Sequence, residues 1–209
     1  MHVTHDLPIS QGFGMSAAGT LAACLATARA IGLPTEEAVS IAHLSELFGG
    51  GGLGGVAAIL GGGWEMRTRA GIPPFGKIQH RPFRRRLILS VAGPPLRSPT
   101  LLGSNEFLAR VHQIGTRAMR RLLHQPTSNR FLQEAETFTD ELGLGPPRLC
   151  RLIQTVRDDG AWAAQAMLGR SLVAIPPDNA VRRRILARLR QLSLPTFEVA
   201  AASDGARSE

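Results

Sequence analysis

The sequence predicts an α+β fold in two parts, and three observations lead there. Residues 83–202 read as a strand, three helices, two strands, a helix and a strand, which is the β-α…β-β-α-β order of a ferredoxin-like layer. Residues 1–82 carry Ala-rich helical runs broken by glycine series, followed by two short alternating stretches. At 209 residues, with 44% hydrophobic and 19% charged side chains, the chain suits one large domain or two small ones and can bury a core. The final "SDGARSE" (203–209) predicts a disordered tail.

Taken in order, Ser16 to Ile31 is dominated by Ala and Leu, good helix formers, and "GLP" stops the run. Thr35 is expected to cap the next helix, "TEEAVSIAHLSELF", with Glu36 and Glu37 in its first turn and Ala38, Ile41, Ala42 and Ser45 facing inward. "FGGGGLGG" breaks that helix, and "VAAIL" forms a short one before "GGG". "WEMRTRA" alternates like a strand, "GIPPFG" is a turn, and "KIQHRP" is a second strand. "RRLILSVAG" predicts a buried strand, followed by helices near 104–124, 129–142 and 146–158. Two strand-like pieces follow, "AWAAQAML" and "SLVAIP", with Gly169 at the turn between them. "DNAVRRRILARLRQL" is a helix capped by Asp178, and "PTFEVAA" is the last strand.

Composition excludes several classes of function. No apolar run reaches the roughly 20 residues of a membrane helix. "MHVTHDLPIS" lacks the basic and apolar regions of a secretory signal. Cys24 and Cys150 lie far apart in apolar helical contexts and read as reduced core residues of a cytoplasmic protein. The formal charge of +8 is gathered in "RPFRRR" (81–86), "RAMRR" (117–121) and "RRR" (182–184). Aromatic residues make up only 5% and tyrosine is absent, which argues against nucleic acid as a partner because bases need stacking platforms. A positive field equally attracts small anionic substrates.

The stretch "PISQGFGMSAAG" carries the chemistry. Gly12 and Gly14 allow backbone conformations that side chains forbid, and Ser16 begins the helix that follows. Unpaired N–H groups at a helix start, with its positive dipole end, make an anion site. A tight turn needed only for helix packing explains an isolated G-x-G as well. The stretch is neither a Walker loop nor a dinucleotide fingerprint.

The same stretch resembles the second motif of the GHMP kinases, P-x-x-x-G-L-G-S-S-A-A, matched by Pro8, Gly12, Gly14, Ser16, Ala17 and Ala18. Phe13 and Met15 depart from it in the manner of the archaeal pantoate kinases. "AHLSELFGGGGLGGV", "GIPPFGKI" and "AQAMLGRSLVAI" agree with that narrower likeness, in the right order. The resemblance implies a two-domain fold: a partial ribosomal-protein-S5-domain-2-like part over 1–82 and a ferredoxin-like part over 83–202. It also implies that Gly12, Phe13, Gly14, Met15, Ser16, Ala17 and Ala18 wrap ATP phosphates, and that Ser16 and Glu46 hold Mg²⁺. The implied reaction phosphorylates pantoate, or a similar small hydroxy acid, on the archaeal route to coenzyme A. Arg67, Arg69 and Lys77 are candidate partners for the substrate carboxylate. His43 is a candidate substrate contact rather than a metal ligand.

Two departures qualify that expectation. The family places an acid, the general base, where "GLGGV" has Gly55, so no catalytic side chain is assigned. Superfamily members also carry several strands before the Gly-rich loop, whereas seven residues precede Pro8 here. The expectation is a fragment or a misplaced start, with exposed sheet edges and apolar surface. The alternative reading is a catalytically impaired nucleotide-binding or regulatory protein. The oligomeric state is left open, a homodimer included.

Overall fold

The structure, a computed structural model, describes residues 2–51, 54–95 and 104–207. Gly52 and Leu53 of the glycine series, and Ser208 and Glu209 of the tail, lie outside the described residues. Helix α1 (Met15–Ile31) ends at Gly32, whose left-handed φ of 71° lets its N–H return to the Ala28 carbonyl. It buries Ala17, Leu21, Leu25 and Ala28. Helix α2 (Thr35–Phe48) packs Ala38 and Ala42 into the same cluster.

The inward face of α2 differs from the expected stripe. Ile41 is 48% exposed and Ser45 is exposed, while Glu46 takes the third inward place after Ala38 and Ala42. Small side chains at four-residue spacing let two helices approach closely, and a branched Ile there would hold them apart. Ile41, Leu44, Leu47 and Phe48 give α2 an exposed apolar side instead. Thr35 is the first helical residue rather than the cap; Pro34 holds the cap position and no side chain bonds there. Glu36 and Glu37 supply the negative charge that this end favours.

Helix α3 (Gly55–Gly61) follows, then β1 (Trp64–Arg69) and β2 (Lys77–Arg81), paired antiparallel with Trp64 opposite Arg81. Residues 203–207 lie against α3, where Ala206 N–H donates to the Ile59 carbonyl at 2.9 Å.

The second part is a four-stranded antiparallel sheet made of β3 (Arg86–Val91), β4 (Trp162–Gln165), β5 (Ser171–Ile175) and β6 (Thr196–Ala200). Its order is β4-β5-β3-β6, with Ile88 opposite both Ala174 and Glu198. This is the ferredoxin-like arrangement that the element order predicts. Helices α4 (Asn105–His124), α5 (Ser128–Leu142) and α6 (Pro147–Asp158) join β3 to β4, and α7 (Asn179–Gln191) joins β5 to β6. Ile88, Leu149, Val156, Leu172, Ile185 and Leu189, all below 2% exposed, form the centre of the core between sheet and helices. Ser104, Thr127 and Asp178 cap α4, α5 and α7 through their side-chain oxygens. Only the first part of "AWAAQAML" is strand, because Met167 turns at φ 48°.

Much of the arginine charge is tied up internally. Arg117 pairs with Glu141, Arg121 with Glu134, Arg182 with Glu198, and Arg184 and Arg188 with Asp159. The hydrogen bond from Arg188 holds the Asp159 carboxyl below its ordinary value, with burial opposing. The arginines of the 81–86 cluster remain exposed. The expected core placement of the cysteines is corrected: Cys24 is half-buried and Cys150 exposed, both free. Leu149 takes the inward position on α6 and leaves the next residue facing out. No helix among the described residues is long and apolar enough to cross a membrane.

Candidate functional site

The loop before α1 is clamped between the two parts of the fold. Gly12 adopts φ +83°, and a Cβ there would stand 1.9 Å from the Ala166 carbonyl oxygen. From the other side, a Cβ on Gly169 would stand 1.9 Å from the Gln11 carbonyl oxygen. Gln11 is buried, its Nε2 donates to the Gly93 carbonyl at 3.1 Å, and its own carbonyl accepts a short bond from the Ser171 hydroxyl. The β4–β5 turn thus fixes the loop, and the loop in turn fixes the start of α1.

That start is uncapped. Gly14 is left-handed, no side chain bonds to the end of the helix, and no acidic residue lies in its first turn. The amides of the first turn are therefore orphan donors at the positive end of a 17-residue helix. They face a cleft of about 750 Å³ lined by Gly12, Phe13, Gly14, Met15, Ser16 and Ala17. Ala18, assigned to the same set from the sequence, does not line it; its N–H already donates to the Gly14 carbonyl at 3.0 Å. Among the described residues no lysine or arginine lines the cleft, and the anion-binding groups they offer are backbone dipoles.

Across the cleft, the structure brings Ser16 and Glu46 together. The Ser16 hydroxyl donates to Glu46 Oε1 at 2.7 Å, and Thr20 donates to the same oxygen at 3.2 Å. Glu46 is only 8% exposed and lies in the last turn of α2, where the helix dipole disfavours a negative charge. Two hydroxyls compensate a buried carboxylate poorly, and a cation would complete the compensation. One carboxylate and one hydroxyl fit magnesium, which takes its remaining oxygens from phosphate and water. Gly51 keeps the place open, since a Cβ there would stand 2.8 Å from Glu46 Oε2.

The remaining candidates do not converge here. His43 is half-buried and does not line the cleft. Arg67 donates to the Gly54 carbonyl and pairs with Glu65, and Arg69 donates to the Pro74 carbonyl. Lys77 is exposed on β2. None of the three lines the cleft.

Gly55 does line the cleft, but the helices leave no room for a side chain on it. A Cβ at 55 would stand 2.5 Å from the Ala17 Cβ, so the close contact of α3 with α1 needs glycine. Gly55→Asp is therefore expected to lower stability by about 1–3 kcal/mol, the usual range for overpacking, and to restore no function. Denaturant unfolding and an activity assay of the purified variant check both halves; a stable variant with raised turnover contradicts them.

Sequence reasoning missed Thr20, Gln11 and Ser171. Thr20 was findable, since it stands one turn after Ser16 on the same helical face. The clamp of Gln11 and Ser171 spans 160 residues, and no local pattern signals it.

Comparison with known proteins agrees with the loop and the fold. Residues 1–63 match the model of the GHMP kinases N terminal domain. The chain is 31% identical over 177 residues to the pantoate kinase of Thermococcus kodakarensis, covering 83% of this chain and 58% of that one. It is 27% identical over 175 residues to the pantoate kinase of Methanospirillum hungatei, covering 81% and 56%. Among solved structures, a phosphotransferase related to the CoA biosynthesis pathway superposes with a TM-score of 0.84 at 27% identity, over 96% of this chain and 66% of that one. The chain thus spans less than two thirds of the length of the pantoate kinases it matches.

Proposed function

We propose, from the likeness of residues 1–63 to the N-terminal domain of the GHMP kinases and of most of the chain to pantoate kinases, that it is a GHMP-type, ATP-dependent small-molecule kinase acting on pantoate. The observation that carries the reading is the Ser16–Glu46 contact beside the uncapped start of α1. It pairs a site for a divalent cation with a site for phosphate oxygens in one cleft. The 12–17 backbone would bind the β- and γ-phosphates of ATP, and Ser16 with Glu46 would hold Mg²⁺. Bound there, the ion would neutralise charge on the transferring phosphoryl group. Gln11, Gly12, Gly169 and Ser171 position the loop, so the amides are aimed before the ligand arrives.

Pantoate is proposed from the two pantoate kinase relatives, and the division of the chain at about residue 82 from the two sheets. Pantoate carries a carboxylate, and the net charge of +8 favours its approach. The test is ADP release with pantoate, mevalonate or homoserine as acceptor. The expected outcome is magnesium-dependent turnover with pantoate well above the other two. Turnover with none of them, while nucleotide still binds, contradicts the kinase reading and favours a nucleotide-binding role.

A further inference from the structure

Among the described residues, the cleft is lined by two titratable side chains, Glu46 and His5. Glu46 is buried and engaged by the Ser16 and Thr20 hydroxyls, and position 55 has no room for a carboxylate. His5 is exposed, and no described residue hydrogen-bonds or pairs with its ring. The ring lies directly on α1: a Cβ on Gly19 would stand 2.7 Å from His5 Cε1 and 3.2 Å from Nε2. Gly19 lies between Ser16 and Thr20 on α1, and His5, Gly19 and Glu46 line the same cleft. The absence of a side chain at position 19 is what admits it.

We propose that His5 is the proton acceptor for the attacking hydroxyl of the substrate in this chain, a role that rests on the kinase reading above. The hydroxyl oxygen forms a bond to the γ-phosphorus of ATP. The bond from that phosphorus to the β–γ bridging oxygen breaks, and its electron pair leaves with ADP. The hydroxyl proton passes to the unprotonated nitrogen of the imidazole and from there to solvent. Imidazole is the side chain suited to this task, because it changes charge within the neutral range. The charged group facing the cleft from α2 is Glu46. The lining residues of α1 and of the β4–β5 turn bring none, and Asp6 neighbours His5 in the chain.

The test compares the purified full chain with His5→Gln, using magnesium, ATP and pantoate between about pH 5 and 8. His5 is exposed, so the glutamine variant keeps the fold, which its melting temperature verifies. The expected result is a wild-type kcat that falls toward acid. In His5→Gln, kcat is lower by about 10²–10⁴-fold and that acid limb is absent. KM for ATP stays unchanged, and free imidazole in solution recovers part of the rate. A variant with wild-type kcat and pH profile overturns the proposal and leaves the kinase reading standing. A His5-dependent rate that rises toward acid also overturns it, since that identifies a cation for the phosphoryl group instead. No ADP from the wild-type chain overturns both.

Discussion

Glu46→Gln is expected to lower turnover by about 10²–10³-fold, the loss that follows removal of one preorganised charge-stabilising group. Glutamine keeps the shape and one carbonyl oxygen, so the Ser16 and Thr20 hydroxyls retain an acceptor. What it removes is the negative charge that would hold a divalent cation against phosphate oxygens. The melting temperature without ligand should stay near the wild-type value or rise, because a buried carboxylate lacking a cation is itself a cost. The magnesium concentration for half-maximal rate should rise sharply, while nucleotide binding without metal changes little. Turnover equal to wild type at ordinary magnesium would remove Glu46 from the metal site.

Gly12→Ala carries the second large effect, and it falls on stability. Position 12 combines φ +83° with backbone 1.9 Å from where a Cβ would be. The left-handed conformation costs a non-glycine residue about 1–2 kcal/mol and overpacking about 1–3 kcal/mol, so a loss near 3 kcal/mol is expected. For a chain of this size that lowers the melting temperature by roughly 6–12 °C. Gly14→Ala is the control: it shares a positive φ of +73°, but a Cβ there meets nothing within 4 Å. It should lose only the conformational part. Equal losses at the two positions would show that the clamp against Ala166 contributes nothing.

The clamp also marks where sequence reading stopped. "AQAMLGRSLVAI" was legible as a strand, a turn and a strand, and as a family likeness. That its turn presses against Gln11 and Gly12 was not legible, because the contact joins positions 160 residues apart and runs largely through backbone atoms. The second half was read well, since the capping oxygen of Asp178 and periods of 2 and 3.6 are local signals. The inward face of α2 was read less well. A pattern that scores apolar residues placed Ile41 inside, whereas the contact with α1 selects small residues and puts Glu46 there.

By itself, the sequence determined the element order, the cap at Asp178 and the Gly-rich loop at the start of α1, and its family likeness made Ser16 and Glu46 candidates. The first three follow from local conformational preference and from residue types at short spacing, which the chain carries wherever it folds. Only the tertiary structure decided what each group faces. It placed Ser16 and Glu46 2.7 Å apart, left Ala18 out of the cleft, and turned Arg67 and Arg69 onto backbone carbonyls. It also set His5 on the bare surface of Gly19 and closed position 55 to any side chain. The physical reason is close packing: whether a side chain meets a ligand, a neighbour or nothing depends on which backbone comes within a few ångströms. That distance is not written in any one segment.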